Sequence, residues 1–259
     1  MAEVMEMEKV EAQPGLWAPR PDMSHIVTED DEPVDNVFSA KQQRLLVEPL
    51  YTAWQKERVF LADANVGVFQ GLHLSPLVPD MFLSLDVRVG DEDWWLKENR
   101  SYFIWVHGKQ PDVVVEVVSN EKGGELDRKM QGYARMGIPY YVVYDPEPTS
   151  IQPKPLVVYE LVVGEYLPRP DYQLAKIGLS LCLWDGIFED GQAVWLRWAD
   201  AEGNLFPTGS ELAERERKRA NQAEALAEQE RERAEKERER AERLAAKLRE
   251  LGIEEPTDS

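Results

Sequence analysis

Two short phrases in this chain put carboxylates where carboxylates are costly. In LVPDMFLSLDV, Asp80 follows Pro79 at the head of a strand-like run, and in PDVVVEVVSN, Glu116 sits among valines. A run that is apolar on both faces is expected of a central, buried strand. A lone carboxylate inside it is expensive unless a cation, a proton or a metal ion compensates it. Two carboxylates brought together from neighbouring strands repel each other, and a divalent cation is the usual remedy. Oxygen ligands of this kind favour Mg2+ or Mn2+, which keep coordination positions open for a substrate phosphate. The chemistry expected of such a pair is hydrolysis at phosphorus, with the cation neutralising charge on the phosphoryl group. The rival reading of Asp80 is a residue that shapes a turn after proline. Glu116, in its valine context, is harder to explain without a site.

Other chemistries find little support. His25, His73 and His107 are scattered without metal-ligand spacing, and one cysteine, Cys182, cannot build a zinc site or an internal disulfide. EKGGEL lacks the Lys-Ser/Thr ending of a phosphate loop, and neither a dinucleotide fingerprint nor a nucleophile elbow is present. Trp94–Trp105, with Lys97, Arg100 and Tyr102, offers rings and cations to a nucleic acid, although a packed insertion is the commoner outcome.

The order of Asp80 and Glu116 resembles the PD-(D/E)XK nucleases, in which an Asp after proline opens one strand and a later strand carries a carboxylate followed, two residues on, by lysine. Here that position is Val118. The continuation, SNEKGGELDRKMQGYARMGIPYYVVYDP, resembles a bacterial family of restriction-endonuclease-like proteins, the Uma-two family, in which the following helix supplies the lysine. The matching position is Lys129, and Ser119, Tyr133 and Asp145-Pro146 match recurring features. The resemblance spans roughly residues 38–206 and implies hydrolysis of DNA phosphodiester bonds, with Asp80 and Glu116 as metal ligands and Lys129 as a third catalytic group. Glu48, in LLVEPLY, matches an acidic position that assists the metal in this superfamily. Each has a plainer reading: Lys129 pairing with Glu125 on an exposed helix face, Glu48 as a solvated helix carboxylate, Tyr133 as core packing, Ser119 as a loop hydrogen-bonder.

The elements that must position these residues follow from periodicity. Ser39 and Gln42 have capping-box spacing, and Leu46, Leu50, Ala53 and Trp54 continue as a helix that Pro49 should kink or restart. Val66–Phe69, Leu77–Val89 and Val113–Val118 read as strands. A helix with Leu126, Met130, Tyr133 and Ala134 on one face is closed by Gly137, and Ile138–Tyr144 returns as a strand. Strand, helix, strand in this order is a crossover onto a mixed sheet. Leu156–Leu161, Glu165–Leu167, Leu179–Trp184, Ile187–Phe188 and Ala193–Trp198 read as further strands, the last two flanking an EDGQ turn. The fold class expected is therefore α/β: a restriction-endonuclease-like mixed central sheet flanked by helices, with a β-rich C-terminal extension and a long charged C-terminal helix.

Composition sets the remaining bounds. Hydrophobic residues make up 43% of 259, enough for a real core, and no run is long and apolar enough to cross a membrane. The acidic N-terminus lacks a secretory pattern, and a single thiol suits a reducing compartment; the cytoplasm is expected. Residues 1–37 read as an acidic flexible leader, 38–208 as the nuclease-like domain and 209–259 as a charged helix. Thr208 and Glu211 cap that helix, Gly252 stops it, and Ala213, Ala220, Ala227, Ala234, Ala241 and Leu248 form a heptad seam that leaves a coiled-coil homodimer open; so is pairing through the core. Glu230 and Glu237 interrupt the companion positions. The net charge of −19, carried mostly by the body, weakens any grip on DNA phosphates. Three readings compete: a Mg2+- or Mn2+-dependent DNA endonuclease; a catalytically silent nuclease-fold protein that binds or assembles partners through its C-terminal helix; and a phosphohydrolase acting on small phosphate esters.

Overall fold

The computed structural model describes residues 37–54, 58–89, 94–118, 125–147 and 154–251. The acidic leader, apart from Val37, lies outside these residues, as do Ser119 and Gly252. The chain divides into two units, 1–206 and 207–259.

The first unit opens with helix α1 (Val37–Ala53), strands β1 (Phe60–Asp63), β2 (Val68–Phe69) and β3 (Met81–Leu85). It continues through a short turn of 3-10 helix, β4 (Tyr102–Phe103), a single helical turn α2 (Ile104–His107) and β5 (Val113–Val117). Helix α3 (Glu125–Met136) leads to β6 (Tyr140–Tyr144), β7 (Leu156–Val162), β8 (Glu165–Pro168), β9 (Gln173–Leu174), β10 (Leu179–Phe188) and β11 (Gly191–Ala199). The central sheet has the order β1-β3-β5-β6-β7-β8. β5 and β6 are parallel, joined across α3, and the other neighbours are antiparallel, so the sheet is mixed.

Alternation along β5 sorts the core. Val113, Val115 and Val117 face α1 and pack with Leu46, Leu50, Leu83, Tyr140 and Val142. Val114 faces the other way, with Tyr133 of α3, Phe82, Tyr141 and Val143. Full burial of each such side chain contributes about 1.5–3 kcal/mol. By the same period-two alternation Glu116 belongs to the α3 face, the one acid in a wholly buried strand.

Several local expectations change. α1 is already helical at Val37, so Ser39 and Gln42 are buried interior residues rather than a cap. Gln42 instead exchanges two hydrogen bonds with the Leu196 backbone, 2.8 and 2.9 Å, which bolts β11 to α1. The helix runs through Pro49 to Ala53 without restarting. Of Leu77–Val89 only Met81–Leu85 is a strand, while Leu77 bridges Val68. β10 and β11 form one long hairpin whose turn residues, Glu189 and Asp190, have φ of 44° and 63°, the left-handed geometry that matches strand twist. Cys182 is half-buried.

The second unit is helix α4 (Gly209–Glu250). Its Thr208 cap is as expected: Thr208 Oγ1 accepts from the Glu211 amide and the Glu211 carboxylate accepts from the Thr208 amide. No residue of α4 is buried, and pairs such as Glu214–Lys218 and Arg238–Glu242 lie four apart along it. No helix among the described residues is long and apolar enough to cross a membrane.

Candidate active site

Register brings the two acids together. Met81 pairs with Val115 in the antiparallel β3–β5 ladder, so Asp80, one residue before β3, reaches the end of β5 beside Glu116. Asp80 Oδ2 accepts the Val117 amide at 2.7 Å, and Oδ1 accepts Gln43 Nε2 of α1 at 2.9 Å. Glu116 is 3% exposed. Its Oε2 accepts Lys129 Nζ at 2.7 Å and its Oε1 accepts the Tyr133 hydroxyl at 2.7 Å.

Helix α3 delivers both donors. Lys129 and Tyr133 are four residues apart and so lie on one helix face. Lys129 also donates to the Val78 carbonyl at 3.0 Å, tying α3 to the segment that carries Asp80. Gly132 permits this approach: a Cβ there would lie 2.4 Å from Leu77 Cδ1. Gly137, at φ 77°, ends the helix in the left-handed conformation that glycine adopts without penalty.

Burial, more than neighbouring charge, sets the electrostatics of the site. Burial pushes the Glu116 carboxyl up to about 8; Lys129 opposes this, Asp80 adds to it, and the bonds from Lys129 and Tyr133 pull it back. Burial and the neighbouring Glu116 drive the Tyr133 phenol well above its usual range, which keeps it a donor. Two hard oxygen donors side by side, one of them buried, fit a divalent cation of the Mg2+ or Mn2+ type.

Asp80, Glu116 and Lys129 thus converge. Glu48 does not join them: its Oε1 accepts Thr52 Oγ1 at 2.7 Å. Among the described residues no three or more His, Cys, Asp or Glu side chains gather in a way that would hold a metal. Gln43 and the hydroxyl role of Tyr133 were not foreseen. The available signals were a glutamine three and seven residues before Leu46 and Leu50 on an apolar stripe, and a tyrosine four residues after the lysine. In the aromatic stretch, Tyr102 and Phe103 are packed, whereas Trp95 is 86% exposed.

A family model described as "Putative restriction endonuclease" (Uma2) matches residues 15–182. The chain belongs to this family. The Uma2 match includes Gln43, Asp80, Glu116, Lys129 and Tyr133, begins upstream of the described residues and ends within β10. No curated protein matches the chain. Among solved structures, the chain is similar to a crystal structure titled a "putative nuclease" from Anabaena variabilis, at 15% identity and a TM-score of 0.37, over 54% of this chain and 71% of that one.

Proposed function

We propose that this Uma2-family protein is a metal-dependent endonuclease that hydrolyses DNA phosphodiester bonds, with Asp80 and Glu116 as ligands for Mg2+ or Mn2+ and Lys129 as the third catalytic group. The observation that carries the reading is the Glu116 carboxylate, buried beside Asp80 and held by Lys129 at 2.7 Å. The family description supports the same class of chemistry. The missing lysine at position 118 is no obstacle, because an ammonium reaches the same carboxylate from α3.

The bound cation would supply charge neutralisation at the phosphate and a Lewis acid for the attacked phosphorus. The chain's own residues supply the rest. Asp80 is oriented by two N–H donors, the Val117 amide and Gln43 Nε2. Lys129 offers a positive charge to the phosphoryl oxygens as negative charge grows there, and Tyr133 holds the opposite oxygen of Glu116. Exposed Trp95 gives unstacked bases a ring to lie on.

The net charge of −19 favours a second reading, a catalytically silent member that binds partners through α4. Supercoiled and single-stranded DNA, incubated with Mg2+ or Mn2+, separates the two. Cleavage by the natural chain, abolished in Glu116→Ala and lowered at least a hundredfold in Lys129→Met, is expected on the scale of a lost transition-state contact of about 2.7–4 kcal/mol. Cleavage that survives Glu116→Ala would remove the assignment.

A further inference from the structure

Asp80 is anchored from two sides, and the anchor from α1 is a built arrangement rather than a passing contact. Gln43 Nε2 donates to Asp80 Oδ1 at 2.9 Å and lies 3.2 Å from Asn65 Oδ1, while Asn65 Nδ2 donates back to Gln43 Oε1 at 3.1 Å. The amide is therefore oriented so that an N–H, not its carbonyl, faces the carboxylate. Asn65 holds φ 54°, a conformation in which asparagine is among the few tolerated residues. Gln43 itself is 6% exposed on the stripe shared with Leu46 and Leu50. A leucine would pack there without the desolvation that a buried amide costs. The polar side chain is explained by its partner, Asp80.

We infer that Gln43 is a positioning residue for Asp80, holding the carboxylate in the orientation from which it and Glu116 bind a single divalent cation. This rests on the metal-dependent reading proposed above. A neutral amide at this place also bears on how many cations the site takes. Asp80, Glu116 and Lys129 together carry a net charge of minus one when both acids are ionised. One divalent cation turns that to plus one, which one phosphodiester neutralises. A second cation would need further acids, and α1 offers none: Gln43 is uncharged and Glu48 is turned to Thr52.

Titrating the full chain with MnCl2 in a calorimeter tests the inference. Any cation held by the acidic surface is retained in Asp80→Asn, so the site's isotherm is the component lost in that variant. One Mn2+ per chain is expected at that component. Gln43→Met, which keeps the volume and removes the donor, should raise its Kd about tenfold, the lower end of what outer-shell partners of metal ligands contribute. Gln42→Met, on the same helix and equally buried, removes a clamp on Leu196 and should lower Tm while leaving Mn2+ affinity unchanged. Should Gln43→Met fail to fold, Asn65→Gly keeps the backbone conformation and frees the amide, with a smaller rise in Kd than that of Gln43→Met expected. Unchanged affinity in Gln43→Met, or in Asn65→Gly where it is the variant measured, overturns the positioning role. Two ions in the Asp80-dependent component overturn the single-cation site. No Asp80-dependent binding in the natural chain instead removes the metal reading beneath it.

Discussion

The buried Glu116 makes folding stability pH-dependent in a direction opposite to that of an ordinary paired carboxylate. Burial pushes its carboxyl up to about 8 in the folded chain without a cation, against an ordinary value of 4.5. Between these values the folded state holds a proton that the unfolded state has released. Stability is therefore full below about 4.5, falls as pH rises through the window, and levels off above about 8. From pH 5.5, clear of precipitation near the isoelectric point of 4.6, to pH 8.5, the loss is on the order of 3 kcal/mol at 1.36 kcal/mol per pH step below the folded value. Urea unfolding in EDTA, run on the natural chain and on Glu116→Gln, isolates the contribution, since other titrating groups appear in both. The difference in unfolding free energy between the two should move by that amount in favour of the variant as pH rises. Parallel pH profiles would show that Glu116 titrates like an exposed acid, and the electrostatic case for a cation would go with it.

Tyr133→Phe keeps the ring and removes one donor from a buried carboxylate. The expected cost is about 1.5–3 kcal/mol, larger at pH 8.5 than at 5.5 because the ionised acid accepts more strongly, and urea unfolding at the two pH values reads it directly; equal loss at both would mean that the hydroxyl does not serve Glu116. In α4, Glu230→Leu with Glu237→Leu makes the Ala/Leu seam continuous from Ala220 to Leu251, and sedimentation should then show the chain associating at micromolar concentration where the natural helix gains less. Unchanged sedimentation of that double variant would exclude the heptad as a pairing surface.

The sequence alone was informative wherever a local pattern and a burial cost coincided. VVVEVV specified a central strand and made its glutamate conspicuous, Gly137 marked the end of α3, and Thr208 with Glu211 marked the start of α4. Short strands held by tertiary pairing were less legible. β1 has four residues and β4 has two, so their local propensity was too weak to announce them, whereas the two residues of β2 fall within the strand-like run Val66–Phe69.

Which acids meet, and what holds them, was decided by the tertiary structure. A sequence order cannot say that Asp80 stands opposite Glu116 until the β3–β5 register is fixed, because one step of slip would turn either carboxylate to the other face. Likewise, α1 carries Gln43 and Glu48 within two turns, and the helix rotation that buries Leu46 and Leu50 sends the amide to Asp80 and leaves the carboxylate with Thr52. Residue types along the chain pointed to a chemistry; rotation of helices and register of strands selected the residues that meet, because those are set by the packing of the whole core and not by any one segment.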